Sequence, residues 1–169
     1  VNRLTGSKVS IVTQKVQTTR FPIRGIAISG DTQIVLVDTP GVFNPRRRLD
    51  RAMVASAWAG AEDADQVVHL VDAQAHLGAD SKEGTPADRK SAEDTETIIK
   101  NLTKSGQKVI LVLNKIDGMR RDTLLALSHA LYETGAYSEV FMISAETGDG
   151  VEDLMARLAA KMPKGPWLY

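Results

Sequence analysis

The stretch VILVLNKID at residues 109–117 decides how this chain folds. Its first five residues are valine, isoleucine and leucine, which predicts a strand buried on both faces, as at the centre of a parallel sheet. Asparagine, lysine and aspartate follow within four positions. Open α/β sheets bind their ligands at the carboxyl ends of the strands. The stretch therefore predicts a central strand followed by a binding loop.

Similar apolar strands alternate with helical patterns along the rest of the chain. Further strands are predicted at 9–12, 21–29, 32–37, 67–71 and 140–143, and helices at 49–61, 91–104, 122–134 and 151–161. Gly30 and Asp31 predict a hairpin, and Asp122 is predicted to cap its helix. The polar residues 74–90 predict a long loop. The alternation predicts an α/β fold, with a mostly parallel sheet, one antiparallel strand and helices on both faces.

Composition limits the class of protein. The chain has 169 residues, a mass of 18.3 kDa and no cysteine, and its 21 lysines and arginines balance 21 aspartates and glutamates. This length suits one domain with a buried core. The charge balance lacks the basic excess that non-specific nucleic-acid binding usually requires. Because the chain has no cysteine, we expect a soluble protein of a reducing compartment. We also expect no DNA partner, and the sequence gives no sign of oligomerisation.

The first binding motif is Asp38-Thr39-Pro40-Gly41, which directly follows the apolar strand at 32–37. A carboxylate at this point can hold Mg²⁺ through water. A glycine three residues later lets a backbone N–H approach a terminal phosphate without a Cβ in the way. The alternative is a simple turn built from aspartate, proline and glycine.

The second motif is Asn114-Lys115-Ile116-Asp117. The Asp117 carboxylate can accept hydrogen bonds from both N1–H and the exocyclic amine of guanine, a pair that adenine does not offer. Such a site can discriminate by roughly 10⁴ or more, since the wrong base leaves a buried charge unpaired. Asn114 would brace the loops and contact the base edge, while the aliphatic part of Lys115 covers the ring face.

The third motif is Ser144-Ala145-Glu146, which follows the strand at 140–143. Its backbone N–H groups could reach the guanine carbonyl, and the small Ala145 would permit a close approach. Taken alone, this motif carries little information. The three motifs in this order, each after an apolar strand, predict a nucleotide site.

The three motifs resemble the phosphate, guanine and base-closing loops of Ras-like GTPases. A closer match is KVSIVT at 8–13 with KVQTTR at 15–20, which resembles the first switch region of the Era family of GTPases. LDRAM at 49–53 and GPWLY at 165–169 are also similar to that family. The resemblance implies a three-layer Ras-like G-domain over residues 1–162 that binds GTP or GDP.

The resemblance also implies roles for single residues. Thr19 would be the switch threonine, joining the Mg²⁺ shell and meeting the γ-phosphate, with Thr18 as its substitute. Asp38 would hold the same Mg²⁺ through water. Val42 stands where the Ras pattern has a water-orienting glutamine, and valine cannot orient water. We therefore expect slow hydrolysis that depends on a partner or on a monovalent cation such as K⁺.

One element of the family is missing from the sequence. The phosphate-cradling loop Gly-x-x-x-x-Gly-Lys-Ser/Thr does not occur in it. That loop supplies much of the affinity for phosphate and Mg²⁺. Residues 1–4 are predicted to be the end of a helix. In the family the phosphate-cradling loop lies at the start of that helix, so we expect the loop and the first strand of the sheet upstream of residue 1. We also expect residues 163–169 to start a linker to an RNA-binding KH domain.

The resemblance implies a timed GTPase that acts in assembly of the small (30S) ribosomal subunit by binding 16S rRNA. It further implies a monomer in the cytoplasm, with peripheral association at the inner membrane as an option. Two alternatives stay open: a degenerate G-domain that serves as a scaffold without hydrolysis, and another GTPase of the same class, in tRNA modification or ribosome biogenesis. His69, His76 and His129 lack metal-ligand spacing and are predicted to be structural or surface residues.

Overall fold

A computed structural model describes residues 1–10, 19, 21–42 and 48–169. The chain forms two compact units, Val1–Gln66 with Glu152–Tyr169, and Val67–Val151. In chain order the elements are α1 (Asn2–Thr5), β1 (Ile23–Ser29), β2 (Thr32–Asp38), α2 (Arg48–Asp63), β3 (Val68–Asp72), α3 (Ala73–Gly78), α4 (Pro86–Ser105), β4 (Val109–Asn114), α5 (Arg121–Tyr132), β5 (Tyr137–Met142) and α6 (Val151–Lys161).

The first unit contains an antiparallel hairpin. β1 pairs with β2 from Ile23 opposite Asp38 to Ser29 opposite Thr32. Gly30 turns the chain with φ of 57°, a left-handed conformation that glycine adopts without a Cβ penalty. The predicted hairpin is therefore confirmed. Asp38, the first residue of the DTPG motif, is the last residue of β2.

The second unit contains a three-stranded parallel sheet in the order β3-β4-β5. β4 lies in the middle, and its residues Leu111, Val112 and Leu113 have no exposed surface. β4 has a neighbouring strand on each side, and both of its faces are covered. Its residues are therefore apolar until the strand ends at Asn114. The predicted central strand is confirmed, and with it the α/β fold of a parallel sheet, an antiparallel pair and helices.

The predicted loop at 74–90 was wrong, because most of it is helical. α3 begins after Asp72, whose side chain accepts the Ala75 N–H. α4 begins at Pro86 after a capping box in which Thr85 and Asp88 satisfy each other's backbone N–H. Proline at the first helical position is favourable, since its missing N–H would have no partner there. Pro86 falls within the predicted loop but marks the start of α4.

The predicted cap of α5 was also wrong. Arg120 precedes the helix and makes no capping bond, while Asp122 lies inside the first turn and pairs with Arg120 at 3.1 Å. A carboxylate in the first turn still interacts favourably with the positive end of the helix dipole. Of the strand predicted at 9–12, Val9 and Ser10 are not in a strand, and 11–12 lie outside the described residues. β5 begins three residues earlier than predicted.

Residues 163–169 contain no helix or strand. The Gln33 side chain on β2 accepts hydrogen bonds from the Leu168 and Tyr169 N–H groups and donates to the Tyr169 carbonyl. The Trp167 indole donates to the Asp31 carbonyl at 3.1 Å. Within the part of the chain that the structure describes, no helix is long and apolar enough to cross a membrane.

Candidate nucleotide-binding site

The NKID loop begins where β4 ends and turns sharply at Lys115. Lys115 has φ of 63°, and it is the only non-glycine residue with a positive φ among those described. This conformation costs roughly 1–2 kcal/mol for a residue with a Cβ, so other contacts must hold it. Two such contacts are present. The Lys115 ammonium lies 2.7 Å from Asp72 Oδ2, and the next residue, Ile116, donates its N–H to the Ile143 carbonyl at 3.3 Å.

The Asp117 carboxylate is oriented by Ser144. The Ser144 hydroxyl donates to Asp117 Oδ1 at 2.8 Å, and Ser144 itself has no exposed surface. The Gln74 amide donates to the Asp117 carbonyl at 3.2 Å. Within the described residues Ser144 is the one side chain that donates to this carboxylate, which leaves Oδ2 and the second lone pair of Oδ1 to accept from a ligand. Asp117 is only partly buried, so this edge is reachable.

The SAE loop is held through its backbone. Asn114 Oδ1 accepts the Ala145 N–H at 3.0 Å, and the Ser144 N–H donates to the Asp149 carbonyl at 3.0 Å. The Ser144 and Ala145 N–H groups thus have partners within these loops, and the contact of the SAE backbone with a guanine carbonyl stays a prediction. Ser144 also contributes its hydroxyl. Glu146 is exposed beside Ala145.

Two residues of this region were missed by the sequence analysis. Thr147 donates its N–H to the Ser144 hydroxyl at 3.1 Å, so that hydroxyl both donates and accepts. Gly150 has φ of 72°, and a Cβ there would lie 2.2 Å from the Met142 carbonyl oxygen. Only glycine fits so close to the end of β5. A glycine a few residues after SAE and just before a helix was the available signal.

The DTPG motif lies in the other unit, and its carboxylate is also held by a serine. The Ser10 hydroxyl donates to Asp38 Oδ2 at 2.7 Å. Asn2 positions Ser10, since its side-chain oxygen accepts the Val9 and Ser10 N–H groups and its amide donates to the Ser10 carbonyl. Neither Asn2 nor Ser10 belongs to the predicted site, because their partner Asp38 is 28 residues beyond Ser10 in the sequence.

The rest of the motif is at least partly buried, and its Thr39 lies close to α2. Pro40 is buried, and Thr39, Gly41 and Val42 are partly buried. The closest approach is at Gly60, where a Cβ would lie 3.0 Å from the Thr39 methyl group. This leaves little space for a larger residue on that face of the helix.

The switch residues are only partly described. Thr19 is partly buried and lies outside any helix or strand, while Thr18 and residues 46–47 lie outside the described residues. The described residues contain no group of three or more histidines, aspartates or glutamates placed to hold a metal ion. The Mg²⁺ expected at Thr19 and Asp38 would need a phosphate ligand and water in addition to these two side chains.

Comparison with known proteins decides the family. Residues 1–115 match the family described as 50S ribosome-binding GTPase. The chain belongs to this GTPase family. Over all 169 residues it is 66% identical to "GTPase Era" of Caulobacter vibrioides (strain NA1000 / CB15N), and 57% identical to that of Maricaulis maris (strain MCS10). It covers 54% of each of those two proteins, so the chain spans about half the length of the curated relatives it matches.

Solved structures agree with this assignment. A crystal structure of Era in complex with MgGDPNP and nucleotides 1506–1542 of 16S ribosomal RNA is similar with a TM-score of 0.80 and 29% identity. A structure of an Aquifex aeolicus Era variant bound to GDP·AlF4⁻ gives the same TM-score at 30% identity. In both cases the similarity covers 99% of this chain and 53% of the other. The predicted Era-type G-domain fold and the resemblance to Era are confirmed.

His69 and Tyr137 form a polar pair within the parallel sheet of this GTPase domain, away from the three motifs. His69 Nδ1 lies 2.8 Å from the Tyr137 hydroxyl, and the two rings stack with centroids 5.9 Å apart. Burial, with a contribution from His76, lowers the pKa of His69 to about 4, and burial raises the pKa of Tyr137. At neutral pH the hydroxyl therefore keeps its proton and the imidazole is neutral, and the ring tautomer sets which of the two groups donates the hydrogen bond. This pairing fits the predicted structural role of His69.

Proposed function

We propose that the protein containing this chain is an Era-like GTPase, which binds GTP and GDP, hydrolyses GTP slowly and acts in assembly of the 30S subunit. The observation that carries the proposal is the Asp117 carboxylate, fixed by Ser144 at 2.8 Å in a chain 66% identical to a GTPase Era. The complex of a related Era with MgGDPNP supports the choice of nucleotide and of Mg²⁺.

Guanine selectivity follows from the chemistry of Asp117. One carboxylate oxygen is occupied by the Ser144 hydroxyl, which prevents rotation of the carboxylate. A fixed carboxylate can accept N1–H and the exocyclic amine of guanine together. Adenine has an acceptor at N1 and no amine at C2, so it would leave the carboxylate desolvated and unpaired. That difference supports selection of guanine over adenine.

Slow hydrolysis follows from the residues after Asp38. The carboxylate of Asp38 would hold Mg²⁺ through water, and Thr19 would complete the metal shell when the γ-phosphate is present. Mg²⁺ would neutralise developing charge on the phosphates. Val42 has no group that can orient the attacking water, so a further charge, from a partner or from K⁺, would be needed for faster turnover.

The RNA partner is proposed from a relative. The related Era structure holds nucleotides 1506–1542 of 16S rRNA, and this chain has no net charge. A neutral domain gives little non-specific attraction to phosphate backbones, so we propose that rRNA is bound mainly outside residues 1–162, by a KH domain. A monomer in the cytoplasm, peripheral contact with the inner membrane, and an upstream phosphate loop belong to the same proposal.

The test is nucleotide binding by the protein that contains this chain. Fluorescently labelled GDP and ADP are titrated in Mg²⁺, and we expect tight binding of GDP only. In Asp117→Asn the amide can donate to the second carbonyl of xanthine, so labelled XDP should replace GDP as the preferred ligand. Equal affinity for GDP and ADP would overturn the guanine assignment. Binding without measurable hydrolysis of GTP would instead indicate a scaffold.

A further inference from the structure

Asp72 contacts the NKID loop although no binding motif includes it. It is the last residue of β3 and lies opposite Asn114 in the parallel ladder between β3 and β4. One carboxylate oxygen, Oδ2, lies 2.7 Å from the Lys115 ammonium. The other, Oδ1, accepts the Ala75 N–H at 3.0 Å and caps α3. Both oxygens of one side chain are thus engaged, one by the NKID loop and one by a helix.

The ion pair restrains a side chain that would otherwise move freely. The Lys115 side chain is 57% exposed, while that of Asp72 is 27% exposed. The side chain of a lysine in water samples many rotamers. It keeps one conformation only if its backbone and its ammonium group are both held in place. Here the left-handed backbone fixes one end, and Asp72 fixes the ammonium. The four-carbon stem between them is held in one path beside the loop that carries Asp117.

The helix that Asp72 caps also reaches that loop. Gln74, in the first turn of α3, donates to the Asp117 carbonyl at 3.2 Å. Asp72 therefore connects with Lys115 directly and with Asp117 through α3. A capped helix start is better defined than a frayed one, because the cap satisfies a backbone N–H that has no partner within the helix.

We propose that Asp72 is a positioning residue for guanine-nucleotide binding, which holds the Lys115 stem where it can cover the face of the purine ring. The inference rests on the proposed function and deepens it. Asp72 need not touch the nucleotide, since it acts through Lys115. A purine face is apolar and similar in all purines, so this contact adds affinity without reading the base.

The simplest competing role for Asp72 is that of a helix cap alone. Asparagine caps a helix about as well as aspartate, because its side-chain oxygen accepts the same N–H. It carries no charge, however, and cannot hold the lysine ammonium by an ion pair. The substitution Asp72→Asn therefore separates the two roles with little change in shape.

The experiment measures labelled-GDP affinity in the protein that contains this chain. We expect Asp72→Asn to raise the Kd by about 3- to 10-fold, the size of effect expected when a partly buried ion pair that orients a ligand group is lost. The Kd for labelled IDP, which lacks the exocyclic amine, should rise by the same factor, since Asp117 is unchanged. The matched control is Asp122→Asn, which also breaks an aspartate ion pair at a helix start and should leave the Kd unchanged.

A double-mutant cycle with Lys115→Met shows whether Asp72 acts through the lysine. Methionine keeps an unbranched apolar stem but has no ammonium, so we expect its Kd to match that of Asp72→Asn and the double variant to be no worse. Equal losses from Asp72→Asn in both backgrounds, or no loss in either, would overturn the proposal. Thermal unfolding without nucleotide shows whether Asp72→Asn has a folding defect. If it has one, the Kd of Lys115→Met compared with that of the unaltered protein decides alone. Failure of the unaltered protein to bind GDP would overturn the proposed function itself.

Discussion

The loops that carry the NKID and DTPG motifs fix their carboxylates by different routes. Asp117 is held by Ser144 from the next strand end, within the parallel sheet of one unit. Asp38 is held by Ser10, which precedes the hairpin and is itself held by Asn2. Adjacent parallel strands place their carboxyl ends side by side, so the first arrangement follows from the sheet. The second depends on one residue of a short helix.

The largest effect is expected at the base-reading carboxylate. Asp117→Ala removes both acceptors for the guanine edge, and we expect GDP affinity to fall by roughly 10³-fold or more, as measured by titration of labelled GDP. Asp149→Ala is the matched control, because Asp149 supports Ser144 only through its backbone carbonyl. A loss below tenfold in Asp117→Ala would show that guanine is read elsewhere.

Next comes the serine that fixes Asp117. Ser144→Ala removes, at a residue with no exposed surface, the hydroxyl that Asp117 Oδ1 and the Thr147 N–H share. We expect the free energy of unfolding to fall by about 2 kcal/mol in urea titrations, with weaker GDP binding. Ser138→Ala should cost much less, since Ser138 is exposed and makes one bond of 3.5 Å. Equal losses in the two variants would contradict the role given to Ser144.

The pH dependence of stability tests the same sheet at a point away from the motifs. The pKa of His69 is lowered to about 4 from 6.5, so the folded state favours the neutral ring. Its contribution is complete above pH 6.5 and is lost as the pH falls towards 4, on the order of 1–3 kcal/mol. His69→Phe should flatten this part of the profile in urea unfolding. His129→Gln, at an exposed position, should leave it unchanged.

The smallest effect is expected at the support of Asp38. Asn2→Ala removes three hydrogen bonds to residues 9–10, which releases Ser10 from its position beside Asp38. We expect about 1 kcal/mol of lost stability, and GDP binding that weakens more in Mg²⁺ than in EDTA. Asn101→Ala, at an exposed position of α4, is the control. An equal effect with and without Mg²⁺ would show that Asn2 does not act on a metal held by Asp38.

The five strands β1–β5 and the hairpin could be predicted from the sequence, whereas the strand predicted at 9–12 is absent at Val9 and Ser10. Apolar runs such as 109–113 identify buried strands because a central strand must be apolar on both faces. The starts of α3 and α4 were not predicted, although the capping residues Asp72 and Thr85 are present in the sequence. Their polar residues favour loops and helix starts alike, so composition alone could not separate the two.

The sequence by itself predicted a guanine-nucleotide site, because the strand ends and the residues that follow them are adjacent along the chain. Only the tertiary structure decided which side chains hold the binding residues in place. Ser144 is 27 residues from Asp117, and Lys115 is 43 residues from Asp72, so neither pair forms a local pattern. Such partners meet because neighbouring strands end at the same edge of the sheet. Hydrogen bonds and ion pairs need contact within a few ångströms, and folding alone provides it.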